Sequence, residues 1–208
     1  MKIYDISMTI RPDMQVWKGY EHKKPSITND SNFQTGTTHE SRINLNVHTG
    51  THIDAPLHVL ENGATIESIP LERLVGPARV LDLTGAEPSI GRAELAPFAI
   101  QRGEWVLFKT RDSYNESNEF DKQFVFLNEE GAKYLAEIGV NGVAIDALGI
   151  ERDQPGYPTH KTLFTANIII VEGVRLKDVP AGNYTFILAP LKLEGLDGAP
   201  ARAMLLGS

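Results

Sequence analysis

Apolar residues fall in short, evenly scattered bursts along this chain. The stretches "KIYDIS", "SRINLNV", "ARVLDL", "EWVLFKT", "GVAIDA", "NIIIVEGV", "YTFILAPL" and "ARAMLL" are each rich in Val, Ile, Leu or aromatics. Gly, Pro or Asn bounds them, which is the signature of strands. Within "NLNVH", polar and apolar positions alternate, as expected of a strand with one buried face. A helical period emerges in "NEEGAKYLAEIG", where Ala132, Leu135 and Ile138 share a face. Asn128 is placed to cap that helix, Glu129 and Glu130 suit its positive end, and Gly139 is placed to stop it. A weaker helix follows Ser89 through "GRAELAPFA", and "PLERL" suggests a single turn. Strands outnumber helices, and the helices are inserted between strands, so the pattern predicts an α/β or α+β fold on a mixed sheet.

Two polar stretches interrupt the pattern. "TRDSYNESNEFDKQF" is poor in aliphatics and reads as an exposed loop, as does "KGYEHKKPSITNDSNFQTGTTHES". The second is long for a connection within a compact domain, and long connections are often lids or binding loops.

At 208 residues, with 41% hydrophobic and 23% charged, the chain reads as one globular domain over 1–208. No apolar run approaches the length of a membrane-spanning helix, and "MKIYDISMTI" reads as a strand, not a signal peptide. With 20 basic and 27 acidic residues the formal charge is −7, and there is no basic patch, so nucleic acid is not an expected partner. Cysteine is absent. That excludes disulfides, thiolate metal sites and a catalytic thiol, and it fits a cytoplasmic protein.

Any metal must therefore sit on imidazole and carboxylate, which makes "VHTGTHIDAPLHV" the most informative stretch. His48, His52, Asp54 and His58 fall within eleven residues. On a flat strand, His48 and His52 would stand about 13 Å apart. Nitrogens sharing one zinc cannot be more than about 4 Å apart. A helix would bring them together, but Val47, Thr49, Thr51 and Ile53 are β-branched, Gly50 breaks helices and Pro56 follows. What remains is a strand bent sharply at Gly50, the residue that tolerates unusual dihedrals. Two imidazoles and a carboxylate then form a first-row metal site with open positions. His58, after Pro56, is either a fourth ligand or a proton shuttle beside the metal. His22 and His39 lie in the polar loop and read as incidental.

Glu172 closes the apolar run "NIIIVEGV", where a carboxylate is costly unless paired or metal-bound. His160, in "YPTHKTLF", shortly precedes it. With a bridging Asp54, the two would suffice for a second metal about 3.5–4 Å from the first.

The segment "HTGTHIDAPLH" resembles the H-x-G-T-H-x-D-x-P-x-H signature of the metal-dependent cyclase and kynurenine formamidase family. The likeness runs through nearly the whole chain: "YDIS", "THKTLF" before "IIIVEG", and the tail "LAPLKLEGLDGAPARA" match further elements of that family. The resemblance implies a swivelling β/β/α-type fold, usually dimeric, with active sites close to the subunit interface. It implies that His48, His52 and Asp54 bind one metal, that Asp54, His160 and Glu172 bind a second in members with two, and that His58 gives and takes the proton. Zinc is the usual metal, with manganese in the isatin hydrolase branch. Many members read E-N-L where this chain has Glu172-Gly173-Val174, and Gly149 in "DALGIER" replaces a frequent Ser. Trp17 falls near the family's substrate-stacking aromatic, and an equal alternative is a partly buried loop anchor. Phe33 and Tyr20 lie in the same loop.

The expected function is hydrolysis of a small amide C–N bond, foremost an aryl formamide such as N-formylkynurenine, by metal-activated water with His58 as proton shuttle. The alternatives are an isatin-type cyclic amide hydrolase, a cyclase or dehydratase of the same fold, and a metal-binding protein without catalysis. Arg202 is read as structural, pairing with a core carboxylate or reaching a neighbouring subunit.

Overall fold

Alternation along the central strands divides the apolar residues between two cores. Trp105, Leu107 and Ala144 enter one cluster, while Val106, Phe108, Val143 and Ile145 enter the other. Both faces of these strands are buried, which is why they read as unbroken apolar runs. The structure, a computed structural model, describes residues 1–207. In chain order its strands are β1 (Lys2–Asp5), β2 (Ser26–Ser31), β3 (Glu40–Asn44), β4 (His52–Asp54), β5 (Val75–Asp82), β6 (Ser89–Ile90), β7 (Trp105–Lys109), β8 (Phe126–Leu127), β9 (Gly142–Ile145), β10 (Ile169–Glu172), β11 (Gly182–Pro190) and β12 (Gly198–Gly207). Its helices are α1 (Arg92–Leu95), α2 (Glu129–Ile138) and α3 (Pro158–Thr165).

Eight strands form one mixed sheet in the order β1-β12-β11-β5-β7-β9-β10-β4. The central pairings β5–β7, β7–β9 and β9–β10 are parallel, and the others are antiparallel. The start of β12 also pairs with β4, Gly198 opposite Asp54 and Pro200 opposite His52, so the sheet closes on itself like a barrel. One core fills the interior around Ile53, Trp105, Val171 and Phe186. The other lies outside the parallel strands, where Phe108, Ile145 and Ile170 meet Leu135 of α2 and Leu163 of α3. The expectation of a mixed α/β fold with few helices holds.

α2 forms as its sequence predicts. Asn128 Oδ1 accepts from the Gly131 N–H at 3.0 Å, and Gly139 ends the helix in the left-handed region at φ 78°. The turn at Leu71–Arg73 and the short α1 also appear as expected.

Four expectations are corrected. The polar stretch "KGYEHKKPSITNDSNFQTGTTHES" contains β2, which pairs with β3 to form a two-stranded ribbon. "SRINLNV" supplies the exposed strand β3, but the alternating "NLNVH" is not a half-buried strand, because the strand stops at Asn44. The polar stretch "TRDSYNESNEFDKQF" is partly interior: Asp112 and Ser113 are buried, and Phe124 joins the outer core. Arg202 makes a two-pronged pair with Asp5 at the surface, Nε to Oδ1 at 2.9 Å, so its partner is not a core carboxylate. Among the described residues, no helix is long and apolar enough to cross a membrane.

Candidate metal centre

The motif does bend at Gly50. The Asn46 side chain accepts from the His48 N–H at 3.0 Å, its carbonyl accepts from the Thr49 N–H, and Gly50 then takes φ 70°. The positive φ is what calls for glycine, and a Cβ there would in addition stand 2.7 Å from Ile10 Cδ1, which would have to move aside. The two threonines of the motif are buried fasteners. Thr51 Oγ1 accepts from the Met8 N–H and donates to the Gly173 carbonyl, each at 2.7 Å, and Thr49 Oγ1 donates to the Lys23 carbonyl. The bend leaves the His48 and His52 rings 5.1 Å apart at their centroids.

Register does the rest. On β4, His52 and Asp54 share one face while Ile53 enters the barrel interior. Antiparallel pairing sets His52 opposite Glu172 of β10, and cross-strand neighbours lie within side-chain reach. His52 Nε2 accordingly lies 3.3 Å from both Asp54 Oδ1 and Glu172 Oε2. The fourth group arrives from α3, a helix that the sequence reading did not find. His160 lies in its first turn, with Nε2 3.6 Å from Asp54 Oδ2 and 3.5 Å from Glu172 Oε1. His48 completes the cluster, its Nδ1 2.8 Å from Asp54 Oδ1. All five metal candidates from the sequence converge.

Both inner imidazoles are held in one tautomer. His52 Nδ1 lies 2.9 Å from the Gly50 carbonyl, which only accepts, so Nδ1 carries the hydrogen and Nε2 presents a lone pair. His160 Nδ1 is turned likewise toward Glu151 Oε2 at 3.0 Å, and the same oxygen accepts from the His160 N–H. Hydrogen-bonded Nδ1 behind a free Nε2 is the usual support for a metal-bound histidine. Lone pairs facing carboxylate oxygens repel unless a cation or proton lies between them. Among the described residues, His52 Nε2 and Asp54 Oδ2 are buried without a hydrogen-bond partner. The titration behaviour agrees. Burial alone would depress His52, but Asp54 and Glu172 reverse this and raise it to about 10, and His160 is likewise raised well above the ordinary value. Burial would raise Asp54, but His160, His48 and His52 hold it well below the carboxylate range. Nitrogen and oxygen donors without sulfur, meeting at orphaned buried atoms, fit a divalent first-row cation.

His58 sits at the end of a tight turn over Pro56–His58, its ring 4.1 Å from His48 and 5.7 Å from His160. The packed surroundings of the ring hold its pKa below the ordinary histidine value. Sequence reasoning missed two carboxylates here. Asp197 Oδ2 lies 2.8 Å from His48 Nε2 and 3.4 Å from His58 Nδ1, and its carbonyl accepts from the Ala55 N–H. Glu151, 3% exposed, orients His160. An acid between two glycines in "GLDG" and a lone acid ending the apolar "ALGI" were the available signals.

The Cyclase family model matches residues 4–152 of this chain. A kynurenine formamidase of Salinibacter ruber (strain DSM 13855 / M31) is 35% identical over 206 residues, spanning 99% of this chain and 97% of that protein. The chain belongs to the cyclase and kynurenine formamidase family. A solved structure described as a predicted metal-dependent hydrolase from Bacillus stearothermophilus is 52% identical, with a TM-score of 0.88 and coverage of 98% and 97%. Isatin hydrolase A from Labrenzia aggregata shares the fold at 24% identity, with a TM-score of 0.85 and coverage of 100% and 94%.

Beside the cluster, this member of the cyclase and kynurenine formamidase family has a cavity of about 350 Å³, whose lining joins His48, His58, His160 and Glu172 with Trp17, Gln154 and Tyr157. Trp17 is the partly buried loop anchor, held edge-on against Phe120 and Phe124 at 5.2 and 5.7 Å, and it also faces the cavity. Gly149 explains how it fits: a Cβ there would meet Trp17 Cζ3 at 2.5 Å. Gly173 stands at φ 72°, a region that asparagine also visits, but a Cβ on this backbone would lie 2.5 Å from the Gly50 carbonyl oxygen, so the Asn that resembling sequences carry there would need the two segments further apart. His22 stacks on Tyr20, His39 meets Asn29, and neither lines the cavity.

Proposed function

We propose that this chain is a metal-dependent hydrolase of a small amide C–N bond, with an aryl formamide such as N-formylkynurenine as its substrate. One observation carries the reading: two imidazoles, fixed with their lone pairs inward, face two buried carboxylates beside an open cavity. In this reading His48, His52 and Asp54 hold one cation, and Asp54, His160 and Glu172 hold a second where two are present. Zinc suits the donor set, and manganese is the alternative. When bound, such a cation supplies water of lowered pKa and polarises an amide carbonyl.

The remaining work belongs to the chain. His58, with a depressed pKa, is neutral at pH 7 and free to accept a proton from the attacking water. It then returns that proton to the departing arylamine nitrogen, which leaves poorly as an anion. Asp197 steadies the His58 ring through Nδ1, leaving Nε2 for this transfer. Glu151 and the Gly50 carbonyl hold His160 and His52 in the required tautomer. Trp17 supplies an apolar wall for an aromatic ring.

The protein is read as cytoplasmic and as a homodimer. The ribbon of β2 and β3 supports the second point, because Ile27 and Ile43 face each other across it, both about half exposed, and Phe33 near its tip is 77% exposed. Light scattering after size exclusion checks the dimer. Elemental analysis of metal per chain, followed by hydrolysis of N-formylkynurenine monitored by absorbance, tests the activity. Turnover of isatin without turnover of formamides would reassign the substrate to the cyclic amides, and no turnover of either would remove the amide hydrolase.

A further inference from the structure

The charges around the cavity balance except at one residue. Glu172 accepts from the Ile150 N–H and faces His52 and His160. Glu151 is taken up by His160. Asp153 pairs with Lys18 at 2.7 Å. Lys23 also lines the cavity, is half-buried, and makes no ion pair with any described carboxylate. It is not a stray surface lysine. Its carbonyl accepts from Thr49, the neighbour of His48, and its N–H donates to the Tyr20 carbonyl, so its backbone is tied to the same turn that presents the metal cluster. A cavity-lining lysine without an ion-pair partner leaves a positive charge open to a bound anion.

A second group points the same way. Gln154 lines the cavity too, and its Oε1 is buried without a donor among the described residues. A cation and an idle acceptor in one cavity suit the carboxylate and ammonium of an amino-acid group.

We infer that Lys23 receives the carboxylate of the substrate, so that the cavity selects aryl amides carrying an α-amino-acid group over their neutral counterparts. The inference rests on the hydrolase reading above, and it adds a specificity residue to that reading. Lys23 touches no reacting atom and sets KM, not kcat. A hydrogen bond to a charged partner of this kind corresponds to roughly a 10- to 100-fold change in affinity.

The test compares two substrates on the metal-loaded enzyme. N-formylkynurenine carries the amino-acid group. The formamide of 2-aminoacetophenone has the same ring, ketone and formyl group without it. Lys23→Met is expected to raise KM for the first roughly 10- to 100-fold with kcat retained, and to leave the second unchanged. Lys23→Arg should recover most of the loss. Equal effects on both substrates, or an effect on neither, would overturn the inference. The neutral substrate doubles as the control for folding. If the wild type hydrolyses neither compound, the hydrolase reading fails by itself, and Lys23 is judged by calorimetric binding of kynurenine against 2-aminoacetophenone. A preference for kynurenine that disappears in Lys23→Met keeps the inference, and equal binding or none removes it.

Discussion

Gly173→Ala is the substitution on which the architecture of the metal cluster can be tested without touching a ligand. Gly173 follows Glu172 directly and stands at φ 72°, where an alanine costs about 1–2 kcal/mol. Its added Cβ would lie 2.5 Å from the Gly50 carbonyl oxygen and 3.0 Å from the carbon. Those are backbone atoms, so no side chain can swing aside, and main-chain displacement of this kind costs about 1–3 kcal/mol more. The expected total is about 2–5 kcal/mol. Gly103→Ala isolates the first contribution, because Gly103 has φ 79° and nothing within 4 Å of its Cβ position. It should cost about 1–2 kcal/mol only. Guanidinium unfolding of the metal-free proteins measures both. The displacement also separates Gly50 from Gly173, and with them His48 and His52 from Glu172, so metal affinity should fall in Gly173→Ala and hold in Gly103→Ala. Equal destabilisation by the two substitutions, with metal affinity unchanged in both, would refute the reasoning.

Other outcomes follow from the same geometry. His58→Ala should lower kcat roughly 10²- to 10⁴-fold with metal per chain retained, and undiminished turnover would remove His58 from the chemistry. In the metal-free chain His52, raised to about 10, holds a proton at neutral pH. Metal uptake must expel it, so affinity should strengthen as pH climbs toward 10 and weaken as pH falls. Calorimetry in two buffers of different ionisation enthalpy reads the proton released, and no release would contradict the assignment. Asn128→Ala removes the cap of α2 and should cost about 1 kcal/mol in denaturant unfolding, with activity unchanged.

How far these features could be read in advance depends on the reach of the forces involved. α2 was legible because its cap, its apolar face and its stop are all local to residues 128–139. The bend at Gly50 was legible because metal geometry excluded both regular alternatives. α3 was not, since Thr159, Thr162 and Thr165 are poor helix formers and its clearest sign is Pro158 in the first turn. Its stability comes from packing Leu163 and Phe164 against the outer core. β2 escaped notice for the opposite reason, because it buries almost nothing and so lacks a periodic signal. Glu172 was found from the cost of burying a charge. Asp197 was missed because the groups it serves, His48 and His58, lie 149 and 139 positions earlier. No local pattern records such a pairing.

β4 is only three residues long, yet it is the stave that shuts the barrel, gripping β10 on one side and β12 on the other. His52 and Asp54 ride on it. A chain still open at that seam therefore has no assembled cluster, and competence to bind the ion arrives together with closure of the ring. A cation bound there would act as a rivet across that joint, coupling resistance to unfolding to the supply of metal.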